Sequence, residues 1–505
     1  MSIANQTPAG SLPQATPVPP GRIASYRGLV LAVAALLAVL LLPIPAGLSV
    51  AGHRMLAILA FAVVVWMTEA IDYAVSGIVI AALMAFVLGF SPSPSNPDAL
   101  MGTAAGLTLA FSGFASTALV LVASALFLAA AMAVTGLDRR IALTILSRVG
   151  VETRHVVAGT IVVGFVIALL VPSTAARVAC LVPITLGIIA AFGVSRRGRF
   201  AGMLMITTVQ TASIWNVGIK TASAQNMVAI GFIEKTLHKT ITWLEWLVAA
   251  APFGILMSVA LYFVMTRMMP PEVMEVPGGR AAIRTSLAEL GPMKPSEKKL
   301  LAISLALLLL WATEGVLHSV DTSTTTITAV ALMFLPGLGI MTWKEAQPRI
   351  PWGTVILFGI GISLGTALLQ TKGATWLADL VVTRFGLAHA AALSVLAVMS
   401  LFLVVIHLGF ASATALASTM IPIVIAVLQG VATPGINVLG LTMVLQFVVS
   451  FGFILVVNAP QNMIAYGTET FEPRDFVRTG LVLTVIALVL VMGLGASYWH
   501  WLGYV

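Results

Sequence analysis

The chain has 505 residues, of which 59% are apolar and only 9% charged, with a mean hydropathy of +1.06. Soluble domains carry roughly 25% charged residues; the 26 basic and 18 acidic side chains here are too few to solvate so long a chain. A soluble enzyme is therefore excluded, and the net charge of +8, set in short loops between apolar runs, records membrane orientation and not a nucleic-acid partner.

Residues 1–27, rich in Pro, Ala, Ser and Gln, read as a disordered cytoplasmic tail. The apolar run Leu29 to Ile44 follows that polar tail and is soon succeeded by a second run, so it reads as a first transmembrane helix and not as a signal peptide. Spans of about 17–25 apolar residues are long enough to cross a bilayer. They predict crossings near 28–46, 53–71, 74–90, 106–135, 200–230, 249–266, 299–317, 323–340, 352–370, 436–465 and 479–499. Two further stretches, 155–194 and 388–433, each read as two helical halves meeting at a short polar tip.

The expected fold is an all-α polytopic membrane protein with about 11 transmembrane helices and two re-entrant hairpins. With the amino terminus in the cytoplasm, 19 of the 26 Lys and Arg fall inside and 5 outside, a strong positive-inside bias that puts the carboxyl terminus outside a cytoplasmic membrane. The remaining two, Arg177 and Lys220, lie within apolar segments. The chain divides into N-terminal scaffold helices (28–105), a first repeat (106–266), a cytoplasmic loop (267–298) and a second repeat (299–505).

The repeats are visible in residues. Gly136 and Gly373 are 237 apart; Arg148-Val149-Gly150 and Arg384-Phe385-Gly386 are 236 apart; Ser173 and Ser412, and Pro183-Ile184 and Pro422-Ile423, are 239 apart. Gln225 to Gly231 recurs 236 positions later as Gln461 to Gly467. One hairpin is flanked by basic loops and the other by loops nearly free of positive charge, so the halves are inverted. Inverted repeats with interrupted hydrophobic segments point to a secondary transporter whose site lies at the repeat interface.

The first tip reads Val171-Pro172-Ser173-Thr174-Ala175-Ala176-Arg177 and the second Phe410-Ala411-Ser412-Ala413-Thr414-Ala415. Pro and small hydroxyl residues end one helical half and cap the next, leaving N–H groups and a positive dipole end that suit an anion. Arg177 and Lys220 are costly in apolar surroundings, and no Asp or Glu lies in either hairpin or in 200–230 and 436–465. The expected site is cationic and its substrate an anion. Glu69, Asp72 and Glu314, near helix ends, read as solvated or structural. The lone Cys180 excludes an internal disulfide, and no HExxH or paired-Cys metal motif is present.

These residues resemble the divalent anion/sodium symporter family, whose members carry a Ser-Asn-Thr motif at each hairpin tip. Ser173-Thr174-Ala175 and Ser412-Ala413-Thr414 occupy those places. The Ala176-Arg177 continuation and His407 to Ser412 look most like the branch of citrate/succinate antiporters and oxoglutarate/malate translocators. Pro351 to Gly359 and Asn458-Ala459-Pro460-Gln461-Asn462 also match. The resemblance implies an elevator-type carrier of small di- or tricarboxylates, a homodimer with scaffold and mobile parts, no enzyme activity and no resident cofactor. It adds Asn226, Pro460 and Asn462 to Ser173, Thr174, Ala175, Arg177, Lys220, Ser412, Ala413 and Thr414 as candidate substrate-binding residues.

Neither tip keeps the family's Asn, whose oxygen would help to ligate Na⁺. That departure, with Arg177 and Lys220 as fixed cations, favours sodium-independent exchange. The alternative is Na⁺-coupled symport of a dicarboxylate or sulfate, with Na⁺ near Ser173, Thr174, Ser412 and Thr414. Two other classes have little to stand on. A hydrolase built on Ser412 and His407 lacks a base–orienter set, and an ion channel needs a pore lining instead of two inverted tips.

Overall fold

A computed structural model describes residues 22–93, 96–149, 152–191, 193–272 and 279–505. The expected disordered tail lies almost wholly outside these residues, since helix begins at Arg22. The chain enters as α1 (Arg22–Leu41), α2 (Val50–Thr68) and α3 (Tyr73–Leu83), which continues as a π-helical turn over Met84–Leu88. The crossing expected at 106–135 is broken: α4 (Thr103–Phe111) and a 3-10 turn (Ser112–Ala115) precede α5 (Thr117–Thr135). The break falls where Gly113 lies against the Gly359 carbonyl, an approach that any side chain would block.

The first hairpin follows a short amphipathic helix, α6 (Leu137–Leu146), and consists of α7 (Thr153–Leu170) and α8 (Thr174–Ala191). Next come α9 (Arg199–Gly218), a 3-10 turn at Lys220–Ala222, α10 (Ala224–Leu237) and α11 (Trp243–Met268). The basic connector expected at 267–298 contains α12 (Gly279–Glu289), and α13 (Pro295–Thr313), α14 (Thr322–Phe334) and the short α15 (Trp343–Ala346) lead to the second half. That half runs α16 (Trp352–Gln370), α17 (Gly373–Arg384), the second hairpin α18 (Ala392–His407) and α19 (Ala413–Gly430), then α20 (Val438–Val449), a 3-10 turn at Val456–Asn458, α21 (Pro460–Tyr466), α22 (Pro473–Ala496) and α23 (Tyr498–Trp501).

From α5 and α16 to the Ala224 and Pro460 helix starts, each second-half element begins 235 to 239 positions after its first-half counterpart. The inverted repeat is thus present in element order as well as in residues. Eight helices among the described residues are long and apolar enough to cross a membrane, with six shorter apolar helices beside them. Every backbone N–H and C=O in hydrocarbon must be paired internally, which helices alone achieve for this composition.

Two further expectations need correction. The crossings read at 200–230 and 436–465 are not continuous helices; each unwinds midway, at Ile219–Ser223 and at Ser450–Ala459. An apolar run does not reveal such a break, because the freed backbone groups are paired by side chains distant in sequence. Burial shows where the core sits: α9 from Phe200 to Gly218 and α19 from Thr414 to Leu428 are buried throughout, whereas α1 and α13 keep broad exposed apolar faces. The interrupted elements form the centre, and the continuous helices surround them.

The connectors 193–198 and 467–472, which the charge count puts on one side, also touch. The Arg196 Nε donates to the Thr468 carbonyl at 3.0 Å, and Arg197 pairs with Glu469 at 2.6 Å.

Candidate functional site

Each hairpin tip is capped by its own serine. The Ser173 Oγ accepts the Ala176 N–H at 3.4 Å and the Ser412 Oγ accepts the Ala415 N–H at 3.3 Å. The first-turn N–H groups of Thr174, Ala175, Ala413 and Thr414 have no helical carbonyl within reach. Their helices therefore direct the positive ends of their dipoles at the tips.

Both tips open on one cavity of about 260 Å³. It is walled by Ser173, Thr174 and Ala175 of the first tip and by Ser412, Ala413 and Thr414 of the second. The two unwound segments and the helix ends beside them contribute Asn216, Thr221, Ser223 and Gln225 on one side and Ala459, Pro460 and Gln461 on the other. Tyr73, Thr354 and an apolar strip of α5 around Val122 and Leu126 close it. Four helix starts converge here (α8, α10, α19 and the short α21), yet the lining contains no Lys, Arg, Asp or Glu. Helix ends, hydroxyls and amides make the polarity of this site. Such a lining donates hydrogen bonds to an anion without burying a counter-charge.

The two halves hold the site by reciprocal bonds. Gln225 Nε2 donates to the Ser450 Oγ, and Gln461 Nε2 to the Ser213 Oγ, both at 3.4 Å. The Asn226 amide gathers the carbonyls of Asn216 (2.7 Å) and Ile219 (3.1 Å), and the Asn462 amide gathers those of Gly452 (3.0 Å) and Leu455 (3.2 Å). These amides pair the groups that unwinding frees. Asn226 and Asn462 stand behind the cavity and do not line it.

Arg177 and Lys220 do not line it either. The Arg177 side chain is 1% exposed and donates to the carbonyls of Val171 (3.2 Å), Ala222 (3.1 Å) and Ala212 (3.4 Å). It also reaches two lining side chains, the Thr174 hydroxyl at 3.3 Å and the Asn216 carbonyl oxygen. Its charge lies one layer behind the cavity, tying the first tip to the first unwound segment. The Lys220 ammonium is turned away, donating to the Ile241 carbonyl at 2.6 Å. Two tryptophans of α11 brace the same segment, Trp243 Nε1 on the Thr221 Oγ1 at 3.2 Å and Trp246 Nε1 on the Val217 carbonyl at 3.0 Å.

Of the sequence candidates, Ser173, Thr174, Ala175, Ser412, Ala413, Thr414 and Pro460 come together on the cavity wall. Sequence reasoning missed Tyr73, Asn216, Thr354 and Asn458. Asn458 is the second-half brace: its amide donates to the carbonyls of His407 at 2.8 Å and Phe410 at 3.0 Å. It stands in the Asn458 to Asn462 string beside the repeated Gln-Asn pair, but nothing in that string shows that it reaches the second tip. The His407 ring is outside the lining, and the Ser412 hydroxyl serves as a cap. A second cavity, of about 730 Å³, runs along α8 between α5, α6 and α12, with Asp138 and Arg139 in its wall.

Two inverted halves, each with a capped hairpin and an unwound helix meeting at a shared polar cavity, define a secondary transporter of the membrane. The chain belongs to the divalent anion/sodium symporter family: the sodium:sulfate symporter transmembrane region matches residues 24–505. A membrane protein of Cupriavidus necator is 54% identical over 97% of this chain and 95% of its own length. The inner membrane protein YbhI of Escherichia coli is 31% identical, covering 84% of this chain and 91% of that one. The L-tartrate/succinate antiporter of Escherichia coli is 27% identical over 92% of this chain and 95% of its own. Among solved structures, the YdaH transporter of Alcanivorax borkumensis shares the fold, with a TM-score of 0.55 at 13% identity, covering 84% of this chain and 97% of that one.

Proposed function

We propose that the chain is a secondary active transporter of small di- or tricarboxylates that works by elevator-type anion exchange. It acts as a homodimer in the cytoplasmic membrane, with the amino terminus in the cytoplasm and the carboxyl terminus outside. The observation that carries this reading is the uncharged cavity where helix starts from both halves converge. A dicarboxylate presents an oxyanion at each end, and the two tips offer a hydroxyl and first-turn N–H groups to each. The similarity to a tartrate/succinate antiporter supports the substrate class, and the positive-inside bias supports the orientation.

Exchange follows from where the fixed charge lies. Arg177 remains one layer behind the cavity when the anion leaves. An empty site then carries an uncompensated cation, whose transfer through a poorly solvated region is unfavourable by some of the several kcal/mol that a buried ion costs. A returning anion restores the balance.

One observation favours the alternative, Na⁺-coupled symport. The side-chain oxygens of Gln210, Gln446 and Asn462 are buried without a hydrogen-bond donor, and a hard cation takes such oxygens. The deciding experiment is counterflow in proteoliposomes with a panel of dicarboxylates, citrate and sulfate, with and without Na⁺. The expected result is uptake of a dicarboxylate that requires an internal anion and proceeds without Na⁺. Robust Na⁺-dependent uptake into vesicles empty of anions would overturn exchange in favour of symport.

A further inference from the structure

α5 turns one face to the cavity, that of Leu121, Val122, Ala125 and Leu126, and none of these side chains has a polar atom. All four are buried. Their backbone groups lie inside a regular helix and bond along it, so this face offers a ligand neither donor nor acceptor. The second half contributes the same chemistry at the matching place. Leu357 of α16 also lines the cavity, 235 positions after Val122, and α16 itself starts 235 positions after α5. Two lining hydroxyls, those of Tyr73 and Thr354, come from the first turns of α3 and α16. That of Tyr73 already donates to the Glu69 Oε1 at 2.9 Å.

Between the tips, polar groups come from the unwound segments and the helix ends beside them: the hydroxyls of Thr221 and Ser223 and the amides of Gln225 and Gln461. A dicarboxylate with one carboxylate at each tip lies with its chain extended. Each inner carbon then directs its two remaining bonds to opposite sides of the chain. A hydroxyl turned to the unwound segments finds partners. A hydroxyl against α5 loses water and gains none, which lowers affinity about 5- to 150-fold.

We propose that Val122 and Leu126 are specificity-determining residues, whose wall admits anions with polar substituents on one side of the chain and rejects those with them on both. Leu357 extends that wall from the second half. This rests on the dicarboxylate reading above and narrows it. Succinate presents only hydrogens to the wall. L-tartrate, extended, has both hydroxyls on one side and can turn them to the unwound segments. Those of meso-tartrate point to opposite sides, so one of them meets α5. Citrate has a hydroxyl and a carboxylate on one carbon, and in either orientation one of the two faces the wall.

The test is displacement of labelled succinate from the purified full-length protein. L-tartrate is expected to compete nearly as well as succinate, and meso-tartrate and citrate about 5- to 150-fold more weakly than L-tartrate. Equal competition by the two tartrates, or by citrate and succinate, overturns the wall. Citramalate separates polarity from size: its hydroxyl and methyl share a carbon, so the methyl can face α5, and it is expected to compete like L-tartrate. Rejection as strong as that of citrate would mean that crowding excludes the second substituent, and overturns the wall. A second arm changes the wall itself. Val122→Thr keeps the branched shape and adds a hydroxyl, and the gap between the two tartrates is expected to shrink about 2- to 12-fold, the range of one net hydrogen bond. An unchanged gap overturns the assignment to Val122. The wild-type panel needs no variant, so it decides the wall even if Val122→Thr does not fold. Failure of labelled succinate to bind the wild type at all overturns the dicarboxylate reading of the site, and the wall with it.

Discussion

The two hairpin tips perform one structural task with different chemistry. At the first, Arg177 reaches from the tip helix into the unwound segment and gathers carbonyls of Val171, Ala212 and Ala222. At the second, the direction reverses: Asn458 reaches from the unwound segment to the tip and gathers the His407 and Phe410 carbonyls. A charged guanidinium and a neutral amide both close the gap between hairpin and broken helix. Bracing a tip therefore does not require a cation, and the charge of Arg177 is available for a second role, that of a fixed positive layer behind an otherwise uncharged cavity.

The strongest way to break this comparison is to remove each brace. Arg177→Ala removes the donor from the buried carbonyls of Val171 and Ala222, each at about 1–3 kcal/mol, so a loss of roughly 2 kcal/mol or more is expected. Thermal unfolding in detergent should show a large fall in Tm, with transport abolished. Arg177→Lys should not rescue it, since a single ammonium cannot span the fork that a planar guanidinium spans. Asn458→Ala strands the Phe410 carbonyl, while that of His407 keeps the Phe410 N–H at 3.0 Å, and should destabilise less, by about 1–3 kcal/mol, with part of the transport retained. Equal losses in Tm and transport for the two alanine variants would mean that the Arg177 charge contributes nothing beyond bracing.

A gentler change sharpens the symmetry of the site itself. Ser173→Ala and Thr414→Ala each remove one neutral donor from opposite tips. Each should weaken substrate binding about 2- to 12-fold, with Tm nearly unchanged, as read by binding of a labelled dicarboxylate to the purified protein. If only one tip responds, the anion is held from one half; if neither responds, it binds elsewhere.

How much of this was legible in the sequence follows from how each feature is encoded. The hairpins, their tips and the repeat are written in local pattern: apolar runs interrupted by Pro, Ser and Thr at nearly constant offset. The unwound centres are not. Phe451 to Leu455 is an unbroken apolar string apart from Gly452, and the break is specified by the Asn462 amide, which pairs the carbonyls of Gly452 and Leu455 from seven or more residues away. Tyr73 was equally silent, since a lone Tyr at a helix start has no motif until folding brings it to the cavity, and Thr354 stands in the Pro351 to Gly359 string without anything that marks it as a wall residue. Lys220 was misleading in the other direction. A charge in an apolar run stands out in sequence, but composition does not tell which way its flexible stem turns.

Lys220 supplies the smallest effect expected. Its ammonium is 2.6 Å from the Ile241 carbonyl, in the connector before α11, and its stem runs beside the unwound segment without entering the cavity lining. The second half has Val456 at the matching place, where the 3-10 turn begins, so an apolar side chain is compatible with the same backbone geometry. Lys220→Met keeps the length and the apolar stem and removes one charge and one hydrogen bond. The charged donor is worth about 1.5–3 kcal/mol when paired, and removing it also relieves the cost of burying it, so the two changes oppose each other. Substrate affinity should stay within about twofold, because helix ends and hydroxyls, which this change leaves in place, form the binding surface. Binding weakened tenfold or more would instead put the Lys220 charge within reach of the anion and return to the first half a cation that the second half lacks.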